Sequence, residues 1–150
     1  MHSSNVIFRR ASERDLDVVV ELWMDSSRYH KELDSRLSVR KDAPKHVYAF
    51  YSKLILDENN YLAVALVNDT IIGYICVLIQ ERSPIHLEKA SGFLDGIFVK
   101  PDYRHQGVGS ELYQMALRWL KEHEIGSMRL TVSPHNSVGL SFWRKQGFTE

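Results

Sequence analysis

The stretch Arg104-His105-Gln106-Gly107-Val108-Gly109-Ser110 is where residue types and spacing point most directly to chemistry. Gly107 and Gly109 stand between an apolar run ending at Val99 and a helical pattern beginning at Val108. Glycines at such a junction leave the first backbone N–H groups of the helix unobstructed, and those groups have no partner within the helix. The helix dipole adds positive potential at the same place, so a phosphate or diphosphate is the ligand this turn suits. Arg104 and His105 are near enough to add charge or hydrogen bonds. An ordinary loop-to-helix transition uses the same residues, so the turn alone leaves both readings open. Two rival phosphate motifs fail: a dinucleotide fingerprint needs glycine where Leu112 stands, and a nucleotide P-loop needs a Gly-Lys-Ser/Thr run that is absent.

Other chemistries find less support. None of the seven histidines stands at His-x-x-x-His spacing with an acidic partner, and no metal is expected. Cys76 is the single cysteine, which excludes an internal disulfide, and its place inside an apolar run reads as a buried structural thiol. Lys plus Arg and Asp plus Glu both number 19, so no global field favours nucleic acid or an anionic membrane as partner. The apolar runs Tyr61 to Val67 and Ile71 to Ile79 fall far short of the roughly 20 residues that span a bilayer. Met1 to Asn5 is polar, unlike a secretory signal, and a cytoplasmic location is expected.

The elements that must position the turn follow from periodicity. Val6 to Arg10 reads as a strand, and Ser12 with Asp15 offers a capping pattern for a helix carrying Leu16, Val19, Val20 and Trp23. A second helix follows Pro44, with Val47, Tyr48, Tyr51, Leu54 and Ile55 on one spacing; Leu33 to Ala43 connects the two. Tyr61 to Val67 and Ile71 to Ile79 form an antiparallel pair around Asn68-Asp69, and Phe93 to Val99 is a further, central strand after a loop. A helix from Val108 to near Gly126, a strand over Met128 to Val132 and a helix from Ser137 to Lys145 complete the chain, with Gly147 as the last stop. The order β-α-α-β-β-β-α-β-α indicates a single α+β domain over residues 1–150, with a mixed, mostly antiparallel sheet flanked by helices.

The run Asp95-Gly96-Ile97-Phe98-Val99-Lys100-Pro101-Asp102-Tyr103-Arg104-His105-Gln106-Gly107-Val108-Gly109 resembles the signature of the GNAT superfamily of acetyl-CoA-dependent N-acetyltransferases, whose core is Arg/Gln-x-x-Gly-x-Gly/Ala. A second signature of that family, Asn-x-x-Ala-x-x-Phe-Tyr-x-x-x-Gly-Phe, is matched by Asn136, Phe142, Gly147 and Phe148, while Gly139 and Trp143 depart from it. The resemblance covers most of the chain and is thinnest from Glu13 to Asn60.

The resemblance implies that acetyl-CoA is a co-substrate, with its pyrophosphate on residues Arg104 to Ser110. It implies that the strand bearing Ile97, Phe98 and Val99 parts from the next strand, leaving a gap for the pantetheine arm. A backbone N–H near Val99 would then face the thioester carbonyl, with Asn136 and Trp143 farther along the cofactor. Asp95 stands where many family members carry glutamate, and its apolar neighbours Phe93, Ile97 and Phe98 are expected to raise its pKa. It is the candidate acceptor for the amine's proton, through water; the alternative is a strand-end carboxylate of structural value only. Tyr29 and His30, with Glu32 and Asp34, are placed in the connection after the first helix, which in similar proteins borders the acceptor site; a solvated loop is the other reading. Trp143 replaces the tyrosine that often protonates the leaving thiolate, and an indole N–H cannot do so near neutrality.

The acceptor expected from the resemblance is a primary amine on a small molecule. A protein or peptide amine, and a non-catalytic acetyl-CoA-binding module, are the alternatives. The chain ends at Glu150, where similar proteins continue into a final strand, so a missing or truncated strand is expected; homodimerisation is a family-level expectation.

Overall fold

The structure is a computed structural model that describes residues 5–150. Strand β1 (Ile7–Arg10) leads into a capping box, in which the Ser12 N–H donates to Asp15 Oδ2 at 2.8 Å. Asp15 also accepts two bonds from the Arg9 guanidinium, at 2.7 and 3.0 Å, which tie the strand to the helix that follows. That charge-assisted pairing holds the Asp15 carboxyl down to about 2.

Helix α1 (Leu16–Leu33) buries Leu16, Val19, Val20 and Leu22, and α2 (Ala43–Leu54) starts on Pro44 and buries Tyr51 and Leu54. Strands β2 (Asn60–Val67) and β3 (Thr70–Glu81) form a hairpin whose two turn residues, Asn68 and Asp69, both have positive φ, at 48° and 65°. Such a turn matches the twist of the flanking strands. Strand β4 (Ala90–Val99) pairs antiparallel with β3, helix α3 (Val108–Glu122) crosses over, and β5 (Met128–Arg129) pairs parallel with β4. Helix α4 (Ser137–Lys145) closes the described chain, stopped by Gly147 at φ 99°.

The five strands lie in sequence order, β1-β2-β3-β4-β5, and the sheet is the mixed, mostly antiparallel one expected. Strand β4 is interior, as read from its apolar run, although its far side is paired only at Gly92 and Phe93. Side chains alternate between two apolar layers: Leu62, Val64, Tyr74, Cys76 and Phe98 face α1 and α2, while Ala63, Ala65, Ile75, Val77 and Val99 face α3 and α4. Leu16, Leu22, Leu62, Ile72, Ile75 and Leu112 are each 2% exposed or less. Each such burial contributes about 1.5–3 kcal/mol, so both layers hold their helices firmly against the sheet.

Two sequence expectations require correction. Tyr29, His30 and Glu32 do not lie in a connection after the first helix; they form its last turns, because no glycine or proline interrupts the pattern before Asp34 turns the chain extended. The strand expected over Met128 to Val132 is paired only over Met128–Arg129, since the chain beyond Arg129 parts from β4.

Candidate active site

The site is organised around the second half of β4. Its register against β3 slips between Cys76 and Val77, which pair with Gly96 and Leu94, so Asp95 is an extra, unpaired residue in a β-bulge. On the other edge, pairing with β5 stops at Phe93 and Arg129, and from Leu94 onward β4 has no neighbour there. Beside Ile97, Phe98 and Val99 the strand is therefore unpaired on that edge, as the expected parting requires.

The ladder also sets which backbone groups face that gap. The Lys100 N–H donates to the Ile72 carbonyl at 2.8 Å. By the alternation of an antiparallel pair, Phe98 and Gly96 then bond to β3, while the N–H groups of Ile97 and Val99 point away from it, toward the open edge. The Val99 carbonyl accepts from Arg104 Nε at 2.7 Å, and the Arg104 guanidinium lies over the Phe98 ring, 5.1 Å from its centroid. Arg104 thus pins the turn to the end of the strand.

In the turn itself, His105 has φ 62° and Gly107, the N-cap of α3, has φ 83°. A Cβ at 107 would meet nothing within 4 Å, so the backbone angle alone demands glycine there. The first bond into the helix is the Glu111 N–H to the Gly107 carbonyl, at 3.0 Å, and Gly107 offers no side-chain cap. The N–H groups of Val108, Gly109 and Ser110 precede that bond and point out of the helix tip. His105 and Gln106 are exposed beside them.

Asp95 is exposed, and the Tyr74 hydroxyl lies beneath its neighbour Gly96, where a Cβ would sit 3.1 Å from it. Partial desolvation raises the Asp95 pKa above the ordinary carboxylate value, as its apolar neighbours led one to expect. Tyr51 and Tyr74 were not legible as site residues. Their spacing marks them as core, and only the phenol oxygen on each hinted at more.

The remaining residues belong to α1, β3 and α4. Asn136 is buried and caps α4, its Oδ1 accepting from the Gly139 N–H at 2.9 Å and, at 3.4 Å, from the Tyr29 hydroxyl. Gly139 has a reason to depart from alanine: a Cβ there would lie 2.5 Å from Asn136 Nδ2. His30 directs Nδ1 at the Ser26 carbonyl, 2.7 Å away, so Nδ1 carries the proton and Nε2 is left for other partners. Trp143 is buried against Tyr113, Phe142 and Phe148, with ring centroids 4.7 to 5.4 Å away. Cys76 is fully buried and its pKa is raised, which suits the structural reading. Among the described residues no group of three or more His, Cys, Asp or Glu is placed to hold a metal ion, and no helix is long and apolar enough to cross a membrane.

A parted strand pair beside a bare helix tip is the geometry of an acyl-CoA-dependent acyltransferase. The chain matches the model of the acetyltransferase (GNAT) family over residues 18–148 and belongs to that family. It is thereby an enzyme of the acetyl-CoA-dependent N-acetyltransferase class. It is 27% identical to a spermidine N(1)-acetyltransferase from Thermoplasma acidophilum, over 96% of this chain and 88% of that protein. It is 28% identical to an aminoglycoside N(6')-acetyltransferase type 1 from Acinetobacter haemolyticus, over 93% of this chain and 86% of that one. Its fold superposes with a TM-score of 0.80 on a predicted acetyltransferase from Clostridium acetobutylicum solved with acetyl-CoA, at 19% identity, covering 97% of this chain and 91% of the other.

Proposed function

We propose that the protein transfers an acetyl group from acetyl-CoA to a primary amine on a small molecule, by direct attack in a ternary complex. The observation that carries this reading is the gap along β4, with the Val99 N–H directed into it and the α3 tip beyond its end. The free N–H groups of Val108, Gly109 and Ser110 suit the pyrophosphate, with His105 and Gln106 at its rim. Ile97 and Val99 offer backbone pairing to the pantetheine arm, and Phe98 and Trp143 back the strand and the helix that line it. Asn136, at the cap of α4, is assigned to the cofactor farther along, and the Tyr29 hydroxyl donates to its Oδ1.

Asp95 takes the proton of the bound ammonium through an intervening water, since an alkylamine has a reference pKa of about 10.4 and is protonated near neutrality. The amine nitrogen attacks the thioester carbonyl, and the Val99 N–H stabilises the oxyanion that develops. Collapse breaks the C–S bond, and the nitrogen gives its second proton to water, which leaves a neutral acetamide. Coenzyme A departs as thiolate, an acceptable leaving group at a reference pKa of about 8.5, and takes its proton from solvent. No covalent acetyl-enzyme is invoked; Cys76, the one thiol, is buried and held protonated. Tyr29 and His30, on the last turns of α1, border the acceptor.

The relatives named for spermidine and aminoglycosides support a small-molecule amine. The test is release of free CoA thiol from acetyl-CoA across polyamines, aminoglycosides, amino acids and peptides. Saturable release with a small amine is expected, and release with peptides alone would overturn the substrate class.

A further inference from the structure

Tyr51 and Tyr74 head the largest side chains that are less than 2% exposed, and both carry a hydroxyl into the apolar layer beneath α1 and α2. Phenylalanine would fill the same space without desolvating a polar group, so the hydroxyls need a reason. Three geometric observations supply it. The Tyr51 Oη is buried with no hydrogen-bond partner. The two rings meet edge to face, with centroids 6.4 Å apart at 71°. The Tyr74 phenol runs beneath Gly96, where a Cβ would lie 3.1 Å from its Oη. Gly96 directly follows Asp95, the unpaired residue of the bulge, so the Tyr74 hydroxyl lies beneath the residue next to it.

We propose that Tyr51 and Tyr74 are positioning residues for Asp95, their hydroxyls forming a polar underside to the bulge that aims its carboxylate at the acceptor amine. The proposal rests on the reading of Asp95 as proton acceptor. Burial raises the pKa of both phenols, so each stays protonated in the working range and acts as a fixed dipole. The groups that sense the Asp95 charge are Tyr51 from α2 and Tyr74 and Cys76 from β3. No charged side chain of α1 or α3, which also pack on β4, perturbs it among the described residues. O–H dipoles turned to the bulge favour the ionised carboxylate, and their removal shifts the acidic limb of the rate profile toward higher pH.

The test compares kcat/KM against pH for the native protein, Tyr51→Phe, Tyr74→Phe and Asp95→Asn, using the amine found by thiol release. Each phenylalanine variant is expected to move the acidic limb upward by about half to one pH unit. kcat at neutral pH falls several-fold, the KM for acetyl-CoA stays constant, and thermal stability is unchanged or higher. A structural role would instead lower Tm and leave the limb in place. Gly96→Ala presses on the Tyr74 hydroxyl from β4 and provides a second route to the same upward shift if a phenylalanine variant misfolds. Limbs that superimpose on the native profile, while Asp95→Asn abolishes its own, would overturn the positioning role alone. A limb that persists in Asp95→Asn would overturn the proton-acceptor reading and the proposal with it.

Discussion

On the open edge of β4 the unpaired groups are backbone amides, from Ile97, Val99 and the tip of α3, whereas on its α2 side the polar groups are side chains, exposed Asp95 above buried Tyr51 and Tyr74. The first set is placed by local conformation: a positive φ at Gly107 and a strand that has lost its neighbour. The second needs three elements, α2, β3 and β4, to converge, and each of its members desolvates a polar group. Backbone sites of this kind cost little stability and leave a glycine signature, while side-chain sites trade stability for chemistry.

Asp95→Asn removes the side-chain base alone and is expected to lower kcat by about 10²- to 10⁴-fold, with acetyl-CoA binding intact by calorimetry. Stability should move the other way. The folded-state pKa of Asp95 is raised, so the fold holds this proton better than the unfolded chain does. Stability is greatest below the unfolded pKa and declines as pH rises through the folded one, which makes the charged Asp95 a burden at neutral pH. The variant's Tm at pH 7 should therefore equal or exceed that of the native protein, and a lower Tm would place Asp95 among structural carboxylates.

Gly107→Val tests the backbone side. A branched residue at φ 83° is strained by about 1–2 kcal/mol, and the N–H groups of the α3 tip lose their alignment. Coenzyme A affinity should fall about tenfold or more, while the pH profile of the residual activity is unchanged. Native affinity in this variant would remove the turn from the cofactor site.

How much of this was legible follows the same division. Gly107 and Gly109 stood out because a positive φ and a bare helix tip need particular residue types in one short run, whereas Arg104, expected to add charge for the phosphate, directs its Nε at the Val99 carbonyl. The bulge at Asp95 could only be located by register, which depends on how β3 pairs. Tyr51 fits a helical apolar stripe and Tyr74 a buried strand, so periodicity assigned both to the core and said nothing of the bulge their hydroxyls approach. Tyr29 and His30 were misplaced in a loop for a local reason: the polar residues after Trp23 weaken the apolar stripe, yet none of them breaks a helix.

Gly139→Ala puts a methyl 2.5 Å from Asn136 Nδ2 and should displace the cap of α4, a loss of about 1 kcal/mol readable as a lower Tm. Remote from the site, Asp15 is held down to about 2 by Arg9. Its contribution is complete above the unfolded value of about 3.9 and is lost as pH falls through the folded one. Asp15→Asn should flatten the dependence of Tm on pH in that acid window and leave kcat unchanged.

In the proposed reaction acetyl passes from thioester to amine directly, within one crevice along β4. Initial rates of thiol release with acetyl-CoA and amine both varied address it most directly. Intersecting double-reciprocal lines, with no acetyl group left on the protein after incubation with acetyl-CoA alone, are the expected result. Parallel lines with a stable acetyl-protein adduct would contradict it.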